Sequence, residues 1–153
     1  MANTYIKIYL HLVFAVKRRT ALILPHWQNR IYSYMRGVIT SAGHYPISIG
    51  GTEDHVHILF SFSGKTALPD FVRELKTSCT KFINNQRITP FRFEWQSGYG
   101  CFSYSHSQLD AVTTYINNQE THHTKKSLQG EIKHMLERFG VEYDEKYIFE
   151  EPQ

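Results

Sequence analysis

Cysteine is nearly absent from this chain: Cys79 and Cys101 are the only two in 153 residues. That excludes a disulfide framework and a thiolate zinc finger, which need paired or clustered thiols. It also suits the reducing cytoplasm. No apolar run approaches the roughly 20 residues that span a bilayer. The opening Met1-Ala2-Asn3-Thr4 lacks the basic, apolar, small-residue order of a signal peptide. Internal repeats and low-complexity stretches are missing too, which excludes a solenoid. What remains is a cytoplasmic protein with no membrane partner. Its 41% hydrophobic and 20% charged residues are those of an ordinary globular chain. The length makes one domain, 1–153.

Two features stand out against these absences. Nine histidines and ten tyrosines face only two cysteines, so metal chemistry should be imidazole-based and a protein nucleophile could be phenolic. Charge is also uneven. Residues 1–130 carry 14 basic and 7 acidic side chains, whereas 131–153 carry 3 and 7. A basic body with an acidic tail hints at a polyanionic partner.

The hydrophobic periods give the order of elements. Ile6 to Val16 alternates as a strand, and the basic Lys17-Arg18-Arg19 follows it. Pro25 opens a helix with Trp27, Ile31, Tyr34, Met35 and Val38 at helical spacing. Residues 45–62 read as a hairpin turning at Gly50-Gly51-Thr52-Glu53. A second helix spans about 68–86, apolar on one face and basic on the other. Phe91 to Trp95 alternates again and predicts the next strand, and a short extended piece runs from Cys101 to Ser105. A third helix starts near 108, with Ser107 and Asp110 as its expected capping pair. A fourth runs from about 127 to 139, and Gly140 stops it. The order β-α-β-β-α-β predicts an α+β, ferredoxin-like split βαβ fold over about 1–105. Its antiparallel sheet carries helices on one face and leaves the other open for a site. Residues 107–153 add C-terminal helices.

Chemistry concentrates in two places. In Asp54-His55-Val56-His57, successive strand side chains alternate, so His55 and His57 emerge on one face about 7 Å apart along the backbone. Two imidazoles so placed can chelate a divalent cation. The same pair serves many chemistries, or none. In the third helix Tyr115 and Gln119 stand at i and i+4 and share a face, beside the stripe Leu109, Val112, Ile116. Taken alone, Tyr115 reads as a boundary tyrosine.

Together these motifs carry more. A His-x-His strand followed by a Tyr-x-x-x-Gln helix on a ferredoxin-like chain resembles the single-tyrosine HUH transposases of the bacterial insertion-sequence 200/605 type. Leu10 to Arg19, Trp95 to Ser103 and Tyr115 to His123 extend the resemblance over nearly the whole chain. It implies that His55, His57 and Gln119 hold Mg²⁺ or Mn²⁺ over a phosphate of single-stranded DNA. It implies that Tyr115 attacks that phosphate to give a 5′-phosphotyrosine, with His122 a further proton-transfer or phosphate contact. It also implies a homodimer in which Tyr115 and Gln119 act in trans, swung out on residues 98–105, and stem-loop DNA as the partner. Lys17, Arg18, Arg19, Arg73, Lys76 and Lys81 are the candidates for phosphate contact. The rival expectations are a non-catalytic nucleic-acid-binding domain, a metal-dependent hydrolase, and a relative that processes repeated palindromes by the same chemistry.

Overall fold

The computed structural model describes residues 3–18, 21–119 and 127–149; Arg19 and His122 lie outside them. The elements are β1 (Ile8–Ala15), α1 (Pro25–Ser41), β2 (Tyr45–Gly51), β3 (His55–Phe62), α2 (Leu68–Asn85), β4 (Gly100–Tyr104), α3 (Leu109–Asn117) and α4 (Leu128–Arg138). Strand order is β2-β3-β1-β4, every pair antiparallel. This is the expected α+β, ferredoxin-like arrangement. Among the described residues, no helix is long and apolar enough to cross a membrane.

One sheet face builds the main core. Leu12, Phe14 and Val16 of the first strand and its end, with Val56, Ile58 and Phe60 of β3, meet Ile31 and Met35 of α1 and Leu75 and Cys79 of α2. Proline in the first turn starts both helices at no hydrogen-bonding cost. Burial drives the Cys79 thiol up to about 12, so it is an inert core residue.

The opposite face is covered, not open. Leu59 packs against Val112 and Ile116 of α3, while Val13 and Ala15 pack against Leu128 and Ile132 of α4. The alternate positions of β1 are therefore apolar because helices lie on both sides of the sheet.

Two local expectations are corrected. Residues 91–95 form no ladder strand, and Trp95 makes only an isolated bridge to Val16. Asn84 explains this: its Oδ1 accepts from the Phe93 N–H at 2.8 Å and its Nδ2 donates to the Phe93 carbonyl at 3.2 Å. A side-chain clamp takes the groups a ladder would use, and the fourth strand forms instead at Gly100–Tyr104. The helix-entry pair is Ser105 and Gln108, the Ser105 N–H donating to Gln108 Oε1 at 2.9 Å, and not Ser107 and Asp110.

α3 sits unusually close to β2 because position 50 has no side chain. A Cβ on Gly50 would lie 2.5 Å from the Ile116 carbonyl oxygen. Ser48 Oγ also donates to Asn117 Oδ1 at 3.2 Å, pinning the end of the helix. Gly50→Ala should therefore destabilise the fold by about 1–3 kcal/mol through overpacking. Gly37→Ala, inside α1 with nothing within 4 Å of the new Cβ, should stabilise it by up to about 1 kcal/mol. Denaturant unfolding of the two variants checks both signs.

Candidate active site

The register of β1 on β3 assembles the imidazoles. Val13 lies opposite His57 and Ala15 opposite His55, so His11 is the diagonal neighbour of His57 on the face towards α3 and α4. All three rings are fully buried. His11 Nε2 and His57 Nδ1 are 2.7 Å apart, and the His55 and His57 ring centres are 5.0 Å apart. Burial holds the His11 imidazole down at about 4, so it is neutral at ordinary pH.

His55 is held from both sides. Its Nδ1 is 2.6 Å from Asp54 Oδ1 and 3.0 Å from Thr52 Oγ1. Its Nε2 is 3.0 Å from Gln119 Oε1 and 3.5 Å from Glu131 Oε2. Gln119 keeps its place beside the histidine although α3 ends two residues earlier, at Asn117. Tyr115 donates to Glu131 Oε1 at 2.5 Å, and its ring stands edge-on to His57 at 5.7 Å. Burial first, and then the Glu131 carboxylate, push the Tyr115 phenol well above its ordinary range.

The donor set fits a divalent cation. Nitrogen and oxygen atoms of His55, His57 and Glu131 all lie within 4.8 Å of one another, and Gln119 adds an amide oxygen. Neighbouring ligands at about 2.1 Å from an octahedral ion stand about 3 Å apart, as His55 Nε2 and Gln119 Oε1 do. With Nδ1–H donated to Asp54, His55 Nε2 turns a lone pair toward two oxygens. Such an arrangement needs a cation between them or a proton on Nε2. Imidazole, amide and carboxylate together suit Mn²⁺ or Mg²⁺ better than a thiophilic metal.

Within one chain Tyr115, Gln119, His55 and His57 thus lie together. Residues 100–104, expected to be a swinging tether, are a sheet strand paired with β1. Sequence reasoning missed His11 and Glu131. Each left a signal: His11 shares its register with Val13 and Ala15, and Glu131 interrupts the buried stripe Leu128, Ile132, Met135 of α4.

The basic candidates divide. Lys17, Lys76 and Lys81 line a groove of about 850 Å³ between α2 and residues 92–96, joined by Arg92. Lys76 serves the fold as well: its Nζ donates to the carbonyls of Gln96 and Gly98 at 2.9 and 2.6 Å and lies over the Phe14 ring. Partial burial lowers it to about 8. Lys17 and Arg18 meet Glu94 at 3.7 and 3.1 Å, and the Arg18 hydrogen bond draws that carboxyl below its ordinary range. Exposed Arg73 pairs with Asp70, away from the groove.

A ferredoxin-like sheet with a buried histidine pair facing a tyrosine defines a class of protein, and comparison with known proteins agrees. The family profile described as "Transposase IS200 like" matches residues 4–119, and the chain belongs to that family. It is 25% identical over 114 residues to the ISDra2 transposase TnpA of Deinococcus radiodurans, spanning 71% of this chain and 81% of that one. Two solved structures share the fold. The crystal structure of a candidate transposase from Deinococcus radiodurans superposes with TM-score 0.61 and 22% identity over 78% of this chain and 95% of the other. A REP-associated tyrosine transposase bound to a REP hairpin gives 0.59 and 14% over 98% and 91%.

Glu131 is the second cause of the raised Tyr115 phenol, after burial. Glu131→Gln should therefore move tyrosinate formation at that position to lower pH, read by spectrophotometric titration against the Tyr115→Phe background.

Proposed function

We propose that this transposase cleaves and rejoins single-stranded DNA through Tyr115, with His55, His57, Gln119 and Glu131 holding Mg²⁺ or Mn²⁺ beside the scissile phosphate. The observation that supports this most is the meeting, in one buried pocket, of a phenol, two imidazoles, an amide oxygen and a carboxylate. When bound, the cation would polarise the phosphoryl oxygens and offset the charge that builds on them. The protein's own groups do the rest. Asp54 orients His55, Gln119 presents its carbonyl oxygen beside His55 Nε2, and Glu131 Oε1 takes the hydrogen bond, and then the proton, of the Tyr115 hydroxyl.

The Tyr115 oxygen forms a bond to phosphorus as the bond from phosphorus to the 3′ oxygen breaks. That oxygen leaves as a 3′-hydroxyl after gaining a proton, and the 5′ end stays on the tyrosine. The bond energy is kept in the ester, so a second 3′-hydroxyl can reverse the step and join new ends.

DNA with a stem-loop fits the basic groove. Lys17 follows directly on β1, and Ala15 at the end of that strand pairs with His55. The groove and the histidines therefore border the same end of β1 from opposite faces of the sheet, and a strand held by Lys17, Lys81 and Arg92 would pass round that end to reach Tyr115. The cis closure of the site makes a monomer sufficient for cleavage, and a homodimer with trans sites would serve strand exchange.

A second version of this function is favoured by one observation. The REP-associated structure aligns with 98% of this chain, α4 included, whereas the family profile ends at residue 119. A role on repeated palindromes with the same chemistry accords with that coverage.

The decisive experiment mixes the protein with labelled single-stranded stem-loop DNA and Mg²⁺ or Mn²⁺. A denaturation-resistant protein–DNA band should form, and Tyr115→Phe and His55→Ala/His57→Ala should each abolish it. A normal band with Tyr115→Phe would assign the nucleophile elsewhere. Binding without cleavage in the unaltered protein would favour a non-catalytic domain. Loss of two phosphate contacts in Lys81→Ala/Arg92→Ala should flatten the dependence of log affinity on log salt by about 1.4, at about 0.7 per contact on a single strand.

A further inference from the structure

We propose that His11 is a positioning residue for the metal centre: its imidazole fixes the ring orientation and tautomer of His57 so that His57 Nε2 faces the cation. The inference rests on the metal-assisted function proposed above and goes beyond it by adding a residue outside the ligand set.

The geometry allows little else. His11 Nε2 and His57 Nδ1 are 2.7 Å apart between two fully buried rings. Two nitrogens at that distance share one proton, one donating and the other accepting. With Nδ1 engaged by His11, Nε2 is the His57 nitrogen that can face an ion. Ligation through Nε2 requires the His57 proton on Nδ1, so that Nδ1–H donates and His11 Nε2 accepts. His11 must then carry its own proton on Nδ1, and that atom is buried with no hydrogen-bond partner among the described residues.

A polar hydrogen stranded in a core calls for an explanation, because nearly all buried polar groups are paired. Packing alone would be served at position 11 by leucine, which brings no polar atom of its own into the core. The tautomer supplies the reason: with an ion on His57 Nε2, His57 donates from Nδ1 and His11 Nε2 accepts, which keeps the proton of His57 on the nitrogen remote from the ion. His55 receives equivalent support from a different group. Its Nδ1 lies 2.6 Å from Asp54 Oδ1, so each imidazole of the pair has its far nitrogen engaged, one by a carboxylate and the other by a neutral ring. Such outer partners commonly govern metal affinity by about 10–100-fold.

The test uses the full-length protein and Mn²⁺ alone, with binding measured by calorimetry or by the signal of free Mn²⁺ in electron paramagnetic resonance. His11→Leu removes the acceptor and should weaken Mn²⁺ binding about 10–100-fold, while thermal unfolding without metal shows a protein still fully folded at the temperature of the binding measurement. His11→Gln places an acceptor near the same point and should recover most of the affinity. Nitrogen-15 spectra of the His57 ring should show the Nδ1–H form in the unaltered protein and a loss of that preference in His11→Leu.

Unchanged Mn²⁺ affinity in His11→Leu would overturn the proposal. So would equal loss in both variants accompanied by a fall in melting temperature, which would mark His11 as packing. Failure of the unaltered protein to bind Mn²⁺, with His57→Ala as the baseline, would overturn the metal-assisted function itself and this inference with it. The two failures are thus told apart by the unaltered protein alone.

Discussion

A carboxylate buried to 3% exposure has to be matched, because an isolated charge in a protein interior is very costly. Glu131 is such a group, and its matching organises half of the molecule. One oxygen takes the Tyr115 hydroxyl and the other faces His55 Nε2. Those contacts draw α4 across the sheet face that α1 and α2 do not use. They also join the last helix to the third helix and to β3 at one point. The same requirement explains why an imidazole flanked by Asp54, Gln119 and Glu131 is a natural seat for a cation. The Gln119 and Glu131 oxygens converge on Nε2 while Asp54 holds Nδ1, and positive charge at Nε2 relieves that convergence.

The second constraint is steric. α3 reaches the histidines because Gly50 lets its backbone come within contact of β2, and because Leu59 offers Val112 and Ile116 an apolar seat. The helix that carries Tyr115 is therefore an integral layer of its own chain. A dimer in which the Tyr115 helix crossed between subunits would have to break that layer and re-form it on a partner. The closed form described here carries the whole constellation without one.

Much of this was legible in the sequence. Period-two alternation located β1 and β3, helical spacing located α1 and α2, and the His-x-His and Tyr-x-x-x-Gln spacings marked side chains that the fold brings together. The failures have physical causes. Residues 91–95 alternate like a strand, but Asn84, near the end of α2 and nine residues earlier, captures the Phe93 backbone, which the alternation of 91–95 by itself does not reveal. The second covered face was written in Val13 and Ala15, apolar where a half-exposed strand would be polar. His11 and Glu131 were overlooked because each looks ordinary in its own segment. Only the pairing of β1 with β3, and the docking of α4, put them beside the chemistry. Lys76 shows the converse: it looks like one more basic residue on a solvent face, yet it is half-buried and ties down residues 96–98.

The position of Glu131 so late in the chain bears on how the protein is born. A ribosome releases the histidine strand first, then the tyrosine helix, and only afterwards the segment that engages the phenol. For the interval of synthesis between those segments, the hydrogen-bond acceptor of the Tyr115 hydroxyl is still unmade. Completion of the pocket is thereby tied to completion of the polypeptide, and an interrupted translation product would carry Tyr115 without the carboxylate that its hydroxyl meets.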